Sequence, residues 1–219
     1  MTSEPPRSQS LPARRTVVVA SGNRGKLQEL RALLKSLPIE LVAVADALPR
    51  KLEIVEDQAT FEGNALKKAR LVAEATALPT LADDSGLEVD ALEGRPGVRS
   101  ARYAGERATD AENNRKLLHE LESVAPTGQP RAARFRCVVV FIDPSDPEHP
   151  AKAEGTCEGA IATAPRGGGG FGYDPIFLVD RGEAGKTMAE LPEAQKNAIS
   201  HRAQAVAALL PQLEAWLAK

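Results

Sequence analysis

A strand pattern, a short turn and an amphipathic helix follow one another near the start of the chain and constrain its fold most strongly. Residues 16–20 (TVVVA) form a β-branched run that predicts a buried strand, and the run breaks at residues 21–25 (SGNRG). Pro38 ends the helix predicted next, whose apolar face consists of Leu27, Leu30, Leu33, Leu34 and Leu37. Residues 40–44 (ELVAV) predict a second strand. This order of elements predicts an α/β fold.

The rest of the chain continues the alternation of helices and strands. A second helix is predicted over residues 60–77, with Phe61, Ala65, Ala69 and Val72 facing inward and Lys67, Lys68 and Arg70 mostly outward. A capping box predicts the start of a third helix, because Thr109 and Glu112 stand three residues apart before an amphipathic run. Residues 133–142 and 152–162 predict a hairpin, and a last helix is predicted from about Ser200.

Composition and charge limit the class of protein. The 219 residues, 42% of them hydrophobic and 26% charged, predict a soluble protein of one large domain or two joined lobes. The net charge of −2 provides no general positive field, so neither a nucleic acid nor an anionic membrane is expected as a partner. A local cluster of cationic residues would therefore serve a small anion.

The sequence carries no signal of secretion or membrane insertion. Residues 1–14 are rich in Pro, Ser and Arg and lack an apolar core, so we predict a disordered tail followed by a single domain over residues 15–219. No apolar run approaches the length of about 20 residues that a membrane span requires. Cys137 and Cys157 are predicted to be reduced, packed thiols. Together these features predict a cytoplasmic protein.

An acidic stretch directly follows the short apolar run at residues 79–82. Asp83, Asp84, Ser85 and Gly86 stand where a strand is predicted to end, so the carboxylates would lie at a sheet edge. Such a position could hold a divalent cation or an attacking water. A surface turn is the alternative interpretation, because Asp, Ser and Gly are typical turn residues.

The turn at residues 20–26 joins a strand to a helix and is a candidate phosphate site. Backbone N–H groups and the positive end of the helix dipole favour an anion there, and Lys26 adds a charge. It is not a P-loop, because Ala20 stands in place of the first Gly and Leu27 in place of the Ser or Thr that binds magnesium. A plain strand-to-helix turn is the alternative.

Residues 166–177 form a glycine-rich loop. The spacing of Gly167, Gly169 and Gly172 matches a dinucleotide motif, but Pro165 precedes the loop and residues 173–175 (YDP) do not start a helix. We therefore expect a loop that presents an aromatic ring, Phe171, and a polar pair, Tyr173 and Asp174, to a flat ligand. A glycine-rich β-turn is the alternative.

A second cationic segment begins at Lys196 and continues into the last helix. Ser200 is a candidate N-cap, which places His201 and Arg202 in the first helical turn. Cations there oppose the helix dipole, so a bound anion or a base with acceptor atoms would explain them. Acidic residues, phosphate-binding turns and an aromatic loop together describe a nucleoside triphosphate site.

Six motifs then occur in the order in which a known family has them. They are Ser21-x-Asn23-x-x-Lys26-x-x-Glu29, Thr60-Phe61-x-x-Asn64-Ala65, Ala82-Asp-Asp-Ser-Gly-Leu87, Pro96-Gly-Val-x-Ser-Ala-Arg-Tyr103, Gly169-Gly-Phe-Gly-Tyr-Asp-Pro-Ile-Phe177 and Lys196-x-x-Ile-Ser-His-Arg202. Over about residues 16 to 217 the chain closely resembles the inosine/xanthosine triphosphate pyrophosphatase family.

The resemblance implies an elongated mixed β-sheet with flanking helices and two lobes around a central cleft. It also implies a homodimer that uses Mg²⁺ to hydrolyse dITP, ITP and XTP to the monophosphate and pyrophosphate, which clears deaminated purines from the nucleotide pool. Carried over by position, Asp84 would be the proton acceptor and a magnesium ligand. Glu56 would be a second magnesium carboxylate, with Glu53 or Asp57 as alternatives, and Gly63 stands where many relatives have a glutamate.

The resemblance further assigns substrate contacts. The phosphates and sugar would be held by Ser21, Gly22, Asn23, Arg24, Gly25, Lys26 and Ser85. The base and phosphates would be held by Phe171, Gly172, Tyr173, Asp174, Lys196, His201 and Arg202. Two other functions stay open, a pyrophosphatase of other modified nucleotides and a nucleotide sensor without turnover. The acidic residues argue against the sensor, because carboxylates repel phosphates unless a metal is present.

Overall fold

The computed structural model describes residues 14–50, 52–126, 128–180 and 185–219. Its centre is a six-stranded sheet in the order β2-β1-β3-β4-β5-β6. The strands are β1 (Arg15–Val19), β2 (Ile39–Ala43), β3 (Thr80–Val89), β4 (Ala132–Ile142), β5 (Ala151–Ile161) and β6 (Phe177–Val179). Strand β1 runs parallel to β2 and β3, and the other pairs are antiparallel. The mixed α/β sheet predicted from the sequence is confirmed.

Six α-helices flank the sheet in the described part of the chain. They are α1 (Arg24–Leu33), α2 (Val44–Ala47), α3 (Phe61–Thr76), α4 (Asp110–Val124), α5 (Glu193–Ile199) and α6 (His201–Leu217). The predicted capping box at Thr109 and Glu112 is present, and Ser200 caps α6 as expected. None of these helices combines the length and apolarity that crossing a bilayer requires.

Three apolar clusters hold the helices against the sheet. Helices α1 and α6 cover one face through residues such as Leu30 and Leu209, and α3 covers the opposite face through Ala65 and Val72. Helix α4 packs through Leu117 and other residues on the far ends of β3, β4 and β5, together with β6. The clusters therefore form two lobes, and the long strands β3 to β5 run through both.

The acidic stretch lies inside the sheet, so the strand end predicted there is wrong. Strand β3 continues to Val89 and pairs with β4 throughout, with Asp83 opposite Val139. Gly86 serves close packing, because a Cβ there would lie 2.5 Å from the backbone oxygen of Gly97 in the 3₁₀ helix Gly97–Arg102. The tertiary pairing overrides the turn preference of the individual residues.

Other sequence predictions fare differently. The hairpin is confirmed as β4 and β5, and both cysteines are buried as expected. Lys68 was expected to face outward, but it is only 6% exposed because buried carboxylates surround its ammonium group. The tail predicted for residues 1–14 lies, except for Arg14, outside the described residues. The assignment of residues 15–219 to one domain stays a prediction.

Candidate active site

A cleft of about 800 Å³ lies between the two lobes and collects most of the predicted site residues. Its lining includes Ser21, Gly22, Asn23, Lys26, Glu56, Asp84, Ser85, Phe171, Gly172, Tyr173, Asp174, Lys196, His201 and Arg202. Arg24 is exposed at the start of α1, and Gly25 lies against Phe171, whose ring would be 3.0 Å from a Cβ at that position. Segments far apart in the sequence therefore converge on one space.

The turn before α1 is held by its own side chains. Asn23 caps the helix by accepting the Lys26 N–H at 3.2 Å, and Ser21 Oγ accepts the Asn23 N–H at 3.1 Å. The Lys26 ammonium lies 2.9 Å from Asp83 Oδ2. The turn is thus preformed at the cleft wall, with its cation anchored to the carboxylate beneath it.

Asp84 projects from β3 toward α3 and sits in a small network of polar groups. Lys68 Nζ lies 3.0 Å from Asp84 Oδ1 and 2.5 Å from Glu56 Oε1, and Asn64 Nδ2 donates to Asp84 Oδ2 at 3.1 Å. Burial raises the pKa of Asp84, and the negative charge of Glu56 adds to this, although Lys68 partly offsets both. Asp84 is therefore a stronger base than an exposed aspartate.

Glu56 is the carboxylate of its loop that shares the ammonium group of Lys68 with Asp84. Partial burial alone would raise its pKa, but attraction to Lys68, together with Lys26 and Arg102, outweighs burial and lowers the pKa. Arg102 fixes the loop by donating from Nη2 to the Glu56 backbone oxygen at 2.7 Å. Asp57 pairs instead with Lys67 at 2.7 Å, and Glu53 lines the cleft but is exposed. The geometry therefore favours Glu56 over the two alternatives.

Glu56 and Asp84 form a donor set that fits Mg²⁺. The described residues contain no group of three His, Cys, Asp or Glu side chains arranged for a metal. Magnesium bound with a phosphate substrate commonly uses only one or two carboxylates, and water and phosphate oxygens complete its shell. Both carboxylates here contact one ammonium group, that of Lys68, so a cation is already accommodated between them.

The opposite face of β3 carries a buried ionic cluster. Arg202 contacts Glu29 and donates from Nη2 to Asp83 Oδ2 at 3.0 Å and to Ser85 Oγ at 3.0 Å. Lys196 lies 2.7 Å from Glu29 and 2.9 Å from Asp174. The sequence predicted that a bound anion or a base with acceptor atoms would explain the cations at the start of α6. For Arg202 neither is needed, because the buried carboxylates of Glu29 and Asp83 already neutralise it.

His201 is a neutral group within this region. Burial, and then the charge of Arg202, lower its pKa well below the usual value. Its ring stacks on Phe135 at a centroid distance of 4.7 Å. Within the described chain Nδ1 has no hydrogen-bond partner. The side chain lines the cleft, but Nδ1 itself is buried.

The glycine-rich loop presents Phe171 beside the cationic groups. The centre of its ring lies 4.8 Å from Lys196 Nζ, and its backbone N–H donates to Asp174 Oδ2 at 3.0 Å. Burial raises the pKa of Asp174, while Lys196 partly offsets the increase. Tyr173 differs from the expectation, since its hydroxyl donates to the Ser100 backbone oxygen at 2.9 Å and it is 4% exposed. Tyr173 thus supports the loop from within.

Sequence reasoning missed Lys68 and Glu29 as site residues. Lys68 follows Asn64 by four positions and lies on the same face of α3 as the apolar residues Phe61, Ala65 and Val72. A lysine in an apolar stripe was a usable signal that it meets a buried carboxylate. Glu29 ends the first of the six motifs, but no role was assigned to it, because its partners lie on the distant helices α5 and α6.

The fold and the site together define a class of protein. An open mixed sheet with paired carboxylates, a cationic turn and an aromatic loop around one cleft defines an α/β protein built to hold a phosphorylated aromatic ligand. The chain belongs to the Ham1 family, whose family model matches residues 17–212.

Individual relatives agree with this assignment. The chain is 52% identical over 197 residues to the dITP/XTP pyrophosphatase of Geobacter sulfurreducens. The matched region covers 90% of this chain and 96% of that relative. A solved HAM1 protein from Coxiella burnetii matches with a TM-score of 0.78 and 44% identity, covering 93% of this chain and 98% of that one. The Staphylococcus aureus Ham1 structure matches with a TM-score of 0.78 and 39% identity, covering 92% and 99%. The family resemblance read from the motifs is confirmed.

Proposed function

We propose that this protein is a nucleoside triphosphate pyrophosphatase that hydrolyses dITP, ITP and XTP to the monophosphate and pyrophosphate. The observation that carries the proposal is the shared cleft, which Asp84 and Glu56 line together with residues of the turn at 20–26 and of the glycine-rich loop. Relatives such as the Geobacter sulfurreducens protein are named dITP/XTP pyrophosphatases. Removing these nucleotides would keep deaminated purines out of nucleic acids.

Asp84 would accept the proton of the attacking water. Its carboxylate lines the cleft and has a raised pKa, which suits a general base. Lys68 contacts one carboxylate oxygen of Asp84 and Asn64 donates to the other, and these contacts orient the side chain. Each oxygen can accept a further hydrogen bond. Glu56 and Asp84 would hold Mg²⁺, which supplies charge neutralisation for the triphosphate. Lys26, at the preformed turn, would add positive charge at the phosphates.

The base would lie between Phe171 and the residues at the start of α6. Arg202 has five N–H groups and donates four hydrogen bonds within the described chain, so one N–H group is left for a ligand. Lys196 has three N–H groups and contacts two carboxylates, so it also has one left. These donors and His201 can pair with the 6-oxo group of hypoxanthine or xanthine. The 6-amino group of adenine would leave them unpaired, which can reduce kcat/KM by about 10⁴-fold.

A substrate panel tests the activity directly. Pyrophosphate release from dITP, ITP, XTP, dATP and dGTP should be measured with and without Mg²⁺. We expect release from the first three to exceed that from dATP by orders of magnitude. Equal rates with dATP and dGTP would contradict the proposed selectivity. Preference for methylated or pyrimidine nucleotides would identify the other pyrophosphatase function, and tight dITP binding without release would identify a sensor.

The metal ligands can be tested without turnover. Replacement of Glu56 by Gln should weaken Mn²⁺ or Mg²⁺ binding about 10-fold or more, as measured by calorimetry, because one of the two carboxylates is lost. Asp57→Asn is the matched control, since Asp57 belongs to the same loop but pairs with Lys67. Equal affinities in the two variants would reject Glu56 as a ligand.

The proposal includes a cytoplasmic homodimer, which the family resemblance implies. Sedimentation equilibrium should give twice the chain mass of 23.3 kDa. A monomer at micromolar concentration would remove this part of the proposal without affecting the chemistry. No nucleic-acid or membrane partner is proposed, because the net charge of −2 offers no general attraction to polyanions.

A further inference from the structure

Helix α4 holds the glycine-rich loop by hydrogen bonds to the backbone N–H and the backbone oxygen of Gly172. The backbone N–H of Gly172 donates to Asp110 Oδ2 at 2.7 Å, and its backbone oxygen accepts from Asn114 Nδ2 at 3.1 Å. Asp110 and Asn114 are four positions apart, so they occupy the same side of the helix. Gly172 itself has a φ of +62°, a conformation that glycine adopts without steric cost.

The neighbouring residue in this loop is Phe171, whose ring lines the cleft. Its own N–H donates to Asp174, and Asp174 in turn contacts Lys196. The backbone on the N-terminal side of the Phe171 Cα is therefore tied to the ionic cluster, and the residue that follows is tied to α4. These two attachments fix where the ring stands relative to Lys196 and Arg202.

Helix α4 is a rigid support for this attachment. Leu117 and Leu121 are fully buried in the apolar cluster of the second lobe. Asn113, between the two loop contacts, accepts the Ala104 N–H at 2.8 Å and donates to the Ala101 backbone oxygen at 3.2 Å. In contrast, residues 167–170 of the loop are four consecutive glycines, which contribute no side chains to a core.

We propose that Asp110 and Asn114 are positioning residues that set the Phe171 ring and thereby the selectivity for the purine base. The inference rests on the proposed function for its substrate. Asp110 supplies a charge-assisted hydrogen bond, which is stronger than one between neutral groups. Asp110 also lines the cleft, but the proposed role requires no contact with the nucleotide, because both residues act through the backbone of Gly172.

A purely structural role for Asp110 has to be separated from positioning, since an acidic residue in a first helical turn also stabilises the helix. Glu112 provides the matched control because it belongs to the same turn and forms the capping box. Its polar contacts are with Thr109. Asp110→Ala and Glu112→Ala should therefore lower the melting temperature to a comparable extent, and only Asp110→Ala should alter the loop.

Steady-state kinetics with dITP and dATP give the first readout. We expect Asp110→Ala and Asn114→Ala each to raise KM for dITP about 10-fold with little change in kcat, as expected for loss of uniform binding. The preference for dITP over dATP should fall by a similar factor. Asp110→Asn, which keeps an acceptor oxygen, should recover most of the loss. Unchanged KM and preference in both alanine variants, or equal changes in Glu112→Ala, would overturn the inference.

Hydrogen exchange of the loop gives a second readout that needs no substrate. Peptides covering residues 166–173 should exchange about 10-fold faster in Asp110→Ala than in the natural protein, and at the natural rate in Glu112→Ala. Natural exchange rates in Asp110→Ala would overturn the positioning role even if dITP is hydrolysed. Failure of the natural protein to hydrolyse dITP, ITP or XTP would instead reject the proposed function and with it the selectivity part of the inference.

Discussion

Asp83 and Asp84 are neighbours on one strand, yet they occupy opposite environments. Side chains alternate across a strand, so Asp83 faces α1 and α6 and Asp84 faces α3. Asp83 is fully buried against Arg202 and Lys26, whereas Asp84 lines the cleft with Glu56 and Lys68. Asp83 thus neutralises buried cations on one face of the sheet, whereas Asp84 on the other face is accessible from the cleft.

Their pKa values diverge for the same reason. Burial alone would raise the pKa of Asp83, but Lys26 and Arg202 outweigh it and hold the pKa far below the usual value. Burial raises the pKa of Asp84 and the charge of Glu56 reinforces it, so the nearby lysines offset only part of the increase. A permanently ionised group stabilises cations, while a more basic carboxylate can accept a proton.

The strongest test of this contrast is Asp84→Asn. Loss of the general base should reduce kcat for dITP by about 10³-fold or more, because the amide cannot accept the proton. The free energy of unfolding should change by only about 1 kcal/mol, since Lys68 keeps its contact with Glu56. Pyrophosphate release and urea denaturation measure the two quantities. A rate within tenfold of the natural protein would assign the base elsewhere.

Asp83→Asn should show the reverse pattern. Its loss leaves the buried Arg202 with Glu29 as its remaining carboxylate partner, and breaking a buried pair typically costs about 3–5 kcal/mol. We therefore expect a large decrease in the urea midpoint. The kcat of the molecules that remain folded should fall much less than in Asp84→Asn. Natural stability in Asp83→Asn would remove the distinction between the two carboxylates.

The smallest effect concerns stability in acid. The lowered pKa of Asp83 contributes stability that is fully present above the unfolded value of about 3.9 and is lost as pH falls toward the folded pKa. The raised pKa of Asp84 has the opposite effect on stability. Its contribution is fully present below the unfolded pKa and is lost as pH rises through the pKa of the folded state.

Urea titrations between pH 3 and pH 6 in a chelator would measure these slopes. Below about pH 5 the free energy of unfolding should decrease less steeply with falling pH in Asp83→Asn than in the natural protein. The difference between the two slopes should be at most about 1.4 kcal/mol per pH unit. Asp84→Asn should instead make stability increase more steeply with pH above about pH 4. Slopes that change in the same direction in both variants would contradict the assigned pKa shifts.

The sequence predicted the elements with strong local patterns. The first strand and helix, the capping box at Thr109 and the long hairpin all have a clear period or a specific start signal, and the structure contains them. Residues 83–86 were harder, because Asp, Asp, Ser and Gly prefer turns when taken alone. Only their ten-residue pairing with β4, which local preference does not report, makes them a central strand.

The site, like the fold, was predictable where local sequence patterns are specific and not where long-range contacts decide. Most of the predicted site residues line the cleft, but the motifs did not reveal which cations are already neutralised. The contacts of Arg202 with Asp83 span 119 residues of sequence, and the contact with Glu29 spans 173. Such pairings depend on the packing of α1, β3 and α6 together. Local patterns carry no information about that arrangement.

The central position of β3 has a consequence for how the chain selects its strand register during folding. Residues 80–84 are all buried, so hydrophobicity alone distinguishes weakly between the two faces of this segment. A slip of one residue would place Asp84 near Arg202 and Ser85 near Lys68, which would leave the lysine buried beside a neutral hydroxyl. The unequal charges on the two faces therefore favour the observed register of the sheet over a register shifted by one residue.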